Sequence, residues 1–219
     1  MFPVLGDPAT TRGFLHRLDV PSSGLVLVAK THQAYYQFQR QLMAGALLRE
    51  YVVLCHGWLP SQRAYVRARV HSWRDGRLDQ CTVSLAGKVA GTRLKVLGYF
   101  DILGAALCLM VISLVTGRMH QIRLHAAHIG HPTVADGKYT ATDTRCHDHR
   151  CPRNFLHRYR LSFSCGGQLM AAAAPLPRDL VAFLRSCVAI GPGSDAAASE
   201  WLREPQPCKE WDRWEGLRR

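Results

Sequence analysis

Apolar and polar positions along the chain change period in a way that sorts it into strands and helices. Residues 25–29, read LVLVA, form a continuous apolar run and predict a buried strand. Thr31 then offers an N-cap to a helix in which Tyr35, Phe38, Leu42 and Ala46 recur at three-to-four spacing. Residues 51–55 predict the next strand, closed by His56-Gly57. Alternation over 65–71 and 81–85 predicts two strands separated by a turn at Asp75-Gly76, and 92–100 with 106–115 predict a hairpin around Gly104. The period lengthens again over 119–129, a helix stopped by Gly130 and Pro132. A second hairpin, 158–164 with 168–174, turns through Gly166-Gly167, and 179–188 predicts a last short helix. Many strands with few inserted helices give an α+β fold with a mostly antiparallel mixed sheet and flanking helices. From Gly191 periodicity fails while Gly, Pro, Ala and Ser rise, so the expected organisation is one folded body over 1–190 and a flexible tail over 191–219. Trp201, Trp211 and Trp214 give that tail apolar docking points.

Length and composition narrow the class. A chain of 219 residues, 47% hydrophobic, is long enough for a sizeable core and too apolar for chain-wide disorder. No run approaches the roughly 18 apolar residues that a membrane span requires, so no membrane partner is expected. The N-terminus lacks the basic-then-apolar pattern of a secretory signal. The expected location is intracellular: cytoplasmic, or an organelle if a targeting segment lies upstream. Eight Cys lack framework spacing and read as reduced thiols. The formal net charge is +12, and residues 1–190 hold 23 basic against 10 acidic side chains. The excess sits on the folded body, which suits encounter with a polyanion.

Two stretches carry candidate chemistry. In GFLHRLDVPSSG, residues 13–24, Arg17 and Asp19 sit against apolar neighbours, where an ionised group needs a partner. In VTGRMHQIRLHAAHIGHP, residues 115–132, Arg118, Arg123 and four His crowd one helix and its flanks. His125 and His128 share a face at i, i+3, but no third metal ligand is fixed by spacing, and no metal is expected. A helix start preceded by Thr-Gly-Arg instead suits a phosphate or carboxylate, and Arg123 one turn in could hold Asp19. The cluster CHDHRC at 146–151 reads as a polar loop, with a zinc-binding regulator as the weak competing reading.

At this point a family resemblance emerges. HRLDVPSSG at 16–24 resembles the HRLD-x-x-[ST]-SG signature of RluA/RluD-type pseudouridine synthases. Residues 117–139, GRMHQIRLHAAHIGHPTVADGKY, are similar to that family's GR-x-HQIR-x-H-x-x-x-x-GHP-x-x-x-D-x-x-Y motif. LLREYVVLCHG at 47–57 resembles its K/R-x-Y segment, and GKVAGTRLKVL at 87–97 its GK-x-A-x-T strand. FLHRYRLSF at 155–163 resembles its LHA-x-x-L-x-F strand, and AAPLPRDL at 173–180 its APLP segment. These segments run in the family's order over roughly residues 14–184.

The resemblance implies that 1–190 is a pseudouridine synthase catalytic domain acting on rRNA or tRNA. Such an enzyme isomerises uridine to pseudouridine by base flipping, with no nucleotide or other cofactor. It implies Asp19 as nucleophile, attacking the sugar C1′ or assisting a glycal route, Arg123 as its partner and Tyr51 as the residue stacking on the base and acting in C5 deprotonation. Arg17 would fill the gap left by the flipped base. His16, Arg118, His120 and Gln121 would bind substrate or support the pocket, and a monomer is expected. The sequence also departs from the family. Only fifteen residues precede His16, and none resembles the upstream strands ending in NKP-x-G. The expectation is a truncated catalytic domain with an exposed sheet edge, unless other residues cover that edge. Thr140 follows Tyr139 where Gly is usual, and 142–153 reads as an insertion. A catalytically impaired RNA-binding module is the alternative reading.

Overall fold

A computed structural model describes residues 2–141, 150–203 and 211–214 of the chain. Its elements, in chain order, begin with β1 (Ser23–Gly24), α1 (His32–Met43), β2 (Leu48–His56), β3 (Tyr65–Arg67), β4 (Val70–Asp75) and β5 (Leu78–Val83). They continue with β6 (Gly91–Ile102), β7 (Ala105–Leu114), α2 (Gln121–His128), β8 (Leu156–Cys165), β9 (Gln168–Ala173), α3 (Arg178–Arg185), β10 (Val188–Ile190) and α4 (Ser194–Leu202). The main sheet runs β1-β8-β2-β7-β6-β10, with β3 on β6 and β9 on β8, while β4 and β5 form a separate two-stranded sheet. The β1–β8 pair is parallel and the other pairs are antiparallel, as an α+β mixed sheet requires.

Strand periodicity sends alternate β2 side chains to opposite faces. Val52 and Leu54 join Leu109, Phe155, Leu180 and Trp201 under α3 and α4. Tyr51, Val53 and Cys55 join Val96, Met110, Ile122 and Ala126 under α2. Tyr51 and α2 therefore share a face, and the functional site forms there. Helix α2 is wedged between the sheets: Gln121, Ile122, Arg123, Leu124, His125 and Ala126 are all buried, and Leu124 packs with Val70, Cys81 and Ala90 of the hairpin side. His125 is a core histidine bonded to Thr92 Oγ1 at 2.9 Å and to the Ala68 carbonyl at 3.0 Å.

Four expectations need correction. Residues 25–29 are not a buried strand. They contribute one bridge, Phe14 to Val28, with Val26 and Val28 more than a third exposed, because the chain runs along an edge of the sheet. The predicted strand 65–71 splits, its first half joining β6 and its second turning away to pair with β5. The last predicted helix ends at Arg185, and Val188 belongs to β10, which pairs with β6.

The fourth concerns the tail. Residues 194–202 form α4, Trp201 is buried, and its ring stacks on Trp214 at 5.1 Å. Burial of these two rings fixes the segment on the core, and Lys95 Nζ secures it through the Trp211 and Trp214 carbonyls at 2.8 and 3.1 Å. Before His16, the turns Pro3–Gly6 and Pro8–Gly13 place Val4 in a small cluster with Leu15, Ala29, Tyr35 and Phe38. Residues 146–149 of the Cys/His cluster lie outside the described residues. No described helix is long and apolar enough to cross a membrane.

Candidate active site

The loop after Leu15 reaches the site because of a glycine. Gly24 of β1 runs beside β8 at φ +119°, and a Cβ there would collide with the Arg158 backbone. A second close approach occurs at Gly117, where a Cβ would meet the Arg49 guanidinium. These glycines let three segments converge: the 16–24 loop, β2 with its neighbour β8, and the start of α2. Between them lies a cavity of about 240 Å³.

Seven of the eight residues singled out from sequence line this cavity: His16, Arg17, Asp19, Tyr51, Arg118, His120 and Gln121. Arg123 stands just behind, with its Nη1 3.4 Å from Asp19 Oδ2. Arg123 is the more deeply held group, since Asp136 takes its Nε at 2.8 Å and its Nη2 at 2.7 Å. Burial opposes the charge on Asp136, but the Arg123 bonds and charge, with N–H groups from Lys138 and Tyr139, hold its carboxyl below the usual range. The Tyr139 ring lies 5.0 Å from the Arg123 guanidinium carbon. Asp19 thus meets a cation already fixed from behind, with 17% of its side chain open toward the cavity.

His120 sits at φ +51°, an unusual conformation for a non-glycine residue. It places Nε2 3.8 Å from Asp19 and Nδ1 2.7 Å from the Tyr139 hydroxyl. Burial lowers the His120 pKa, the Asp19 charge opposing it and the Arg123 charge adding to it. Gln121 faces partners inside the fold: its Nε2 donates to the Gly91 carbonyl and Thr92, and its Oε1 accepts from Thr116 and the Arg118 backbone N–H. It shapes the start of α2 and so aims Arg123. Arg118 is exposed, with Nε donating to the Val89 carbonyl at 3.2 Å, and Arg17 is exposed at the mouth.

Sequence reasoning missed Arg49, Asp136, Tyr139 and Arg158 as site residues, although each lies inside a quoted motif. Arg158 takes the position of Ala in the LHA-x-x-L-x-F pattern, a signal that was available. It donates to the Tyr51 hydroxyl through Nε at 2.8 Å and Nη2 at 2.5 Å. Arg49 is buried, its Nε finds no partner among the described residues, and burial lowers its pKa. His16 meets Arg158 Nη1 at 2.7 Å, and burial, followed by the Arg158 and Arg49 charges, lowers its pKa to about 3. The cavity therefore offers one carboxylate, one phenol, two imidazoles and several guanidiniums. Such a set can attack or stabilise an electron-poor carbon while accepting a polyanionic ligand.

Comparison with known proteins places this geometry in context. A family profile described as RNA pseudouridylate synthase matches residues 8–128. Ribosomal large subunit pseudouridine synthase D of Nitrosomonas europaea is 37% identical over 180 residues, covering 80% of this chain and 51% of that protein. The protein of the same name from Neisseria meningitidis is 34% identical over 201 residues, covering 86% and 52%. The chain spans about half the length of these curated relatives. Among solved structures, Human RNA Pseudouridylate Synthase Domain Containing 1 superposes with a TM-score of 0.70 at 23% identity, covering 89% of this chain and 81% of that one.

Proposed function

Since the chain belongs to the RNA pseudouridylate synthase family, we propose that it isomerises uridine to pseudouridine in structured RNA, with large-subunit rRNA as the first substrate to test. The observation that carries this reading is the Asp19–Arg123 contact of 3.4 Å at the wall of a cavity lined by the other motif residues. The reaction balances without a co-reactant. The N1–C1′ bond breaks, the base turns, C5 bonds to C1′, the C5 proton leaves and N1 gains one. Asp19 serves as the nucleophile that detaches the base, an ester formed with C1′ breaking as C5 bonds there, and Arg123 orients its carboxylate within a partly closed site.

Tyr51 forms the wall against which the base lies. Arg17, exposed at the mouth, takes the space the base vacates, which lowers the few kcal/mol cost of unstacking. The basic body supplies binding energy through phosphate contacts, and the flipped nucleotide is read by shape and a few polar contacts. No step calls on a metal or an organic cofactor.

Mapping pseudouridines in RNA from cells with and without this protein tests the reading. Loss of one or more sites on deletion, restored by the wild-type gene and not by an Asp19→Asn copy, is the expected outcome. An unchanged map, with RNA binding intact, would instead favour an RNA-binding module without turnover.

A further inference from the structure

Arg158 is only 3% exposed, yet no carboxylate among the described residues pairs with it. A buried cation without a counter-ion normally costs several kcal/mol, so its other contacts must hold it. A guanidinium has five N–H donors, and here each has an acceptor. Nε and one Nη2 hydrogen go to the Tyr51 hydroxyl. The second Nη2 hydrogen goes to the Arg17 carbonyl at 3.3 Å. Nη1 serves His16 Nδ1 at 2.7 Å and the Leu25 carbonyl at 2.8 Å. Every acceptor is either Tyr51 or part of the 16–25 loop, which carries Asp19. The guanidinium also lies 5.0 Å from the Tyr51 ring centre.

We propose that Arg158 is a positioning residue: it locks Tyr51 to the loop carrying Asp19 and leaves the phenol only its own O–H to offer a bound base. A neutral hydroxyl has two acceptor sites and one donor, and Arg158 occupies both acceptor sites. Tyr51 therefore meets the ligand as a donor, suited to a carbonyl oxygen of uracil, and not as the base for C5 deprotonation that the family resemblance implies. His16 belongs to the same lock. Arg158 Nη1 donates to its Nδ1 at 2.7 Å, which makes Nδ1 the acceptor of an uncharged ring. This inference rests on the proposed uridine isomerase reading, which it deepens by assigning a residue that the family pattern does not contain.

The test compares wild type, Arg158→Ala, Tyr51→Phe and the double variant on unmodified large-subunit rRNA transcribed in vitro. Single-turnover pseudouridine formation and RNA affinity are measured for each. Arg158→Ala should slow formation by roughly tenfold or more, the scale of a misplaced reacting group, with RNA affinity nearly unchanged. The double variant should then lose less than the product of the two single losses, because both changes remove the Arg158–Tyr51 interaction. An Arg158→Ala rate equal to wild type, or a loss that multiplies onto that of Tyr51→Phe, would overturn the proposal. If Arg158→Ala fails to fold, Arg158→Lys is judged by the same comparison, since it keeps the charge and stem but cannot supply the paired donors. The Tyr51 ring resonance in 13C-tyrosine-labelled protein gives a readout independent of turnover. If wild type makes no pseudouridine, a shift of that resonance in Arg158→Ala would keep the lock and discard the isomerase reading. An unmoved resonance would discard the lock itself.

Discussion

Asp136 grips Arg123 with both carboxylate oxygens and leaves Nη1 to face Asp19 at 3.4 Å. The buried pair aims the guanidinium, so Asp19 does not have to order a long side chain by itself. Asp136→Ala should destabilise the protein by about 3–5 kcal/mol, the usual effect of leaving one partner of a buried ion pair alone. Asp136→Asn should recover part of that stability in denaturant titrations. It should still slow pseudouridine formation, because an amide cannot accept both guanidinium bonds.

Arg17 lies at the mouth, exposed, and it carries no packing role. Arg17→Ala should leave the unfolding midpoint essentially unchanged, since exposed substitutions fall within about 0.5 kcal/mol. It should raise the KM for RNA roughly tenfold, consistent with losing a contact that offsets unstacking of the flipped base. Steady-state kinetics alongside thermal melts separate these effects.

Among the described residues, burial pushes the pKa values of two imidazoles furthest down. His16 is lowered to about 3 by burial and then by Arg158 and Arg49, and His157 to about 4, by burial first. Both folded values lie below the ordinary 6.5, so the unfolded chain binds more protons between those limits. The stability these groups contribute is full above pH 6.5 and is lost progressively below it, the loss being complete near pH 4 for His157 and near pH 3 for His16. The loss is on the order of 3–5 kcal/mol per group. Urea titrations at several pH values should show stability falling on acidification, with a shallower slope in His157→Gln.

The C-terminal tryptophans fasten α4 to the sheet. Trp201→Ala should cost about 3–5 kcal/mol, the range for truncating a fully buried aromatic. Lys95→Ala should cost less, because it removes two hydrogen bonds from a side chain at the border of that cluster. Melting curves of the two variants give the order directly.

The contrast between what the chain reveals and what it conceals follows from contact range. The β6–β7 hairpin and α2 were legible because their periodicity is local and strong. Residues 25–29 misled because an apolar run looks alike in the core and along an irregular edge. Helix α4 was hidden because its docking depends on Trp201 meeting Trp214 and Tyr159, which no local period records. The Asp19–Arg123 contact spans 104 positions and became visible only through motif resemblance. Asp136 lay in the same motif, but its role emerged only when both of its oxygens met Arg123. Arg158 reads in sequence as an ordinary charged strand residue, and its four acceptors come from segments more than 100 positions away.

The decisive measurement is pseudouridine formed in unmodified large-subunit rRNA by wild type and by Asp19→Asn, with RNA affinity taken from the same preparations. Wild type should form product, and Asp19→Asn should form none while binding RNA within about 1 kcal/mol of wild type, an ordinary hydrogen-bond difference. Equal turnover by the two proteins would contradict the assignment of that carboxylate as the nucleophile.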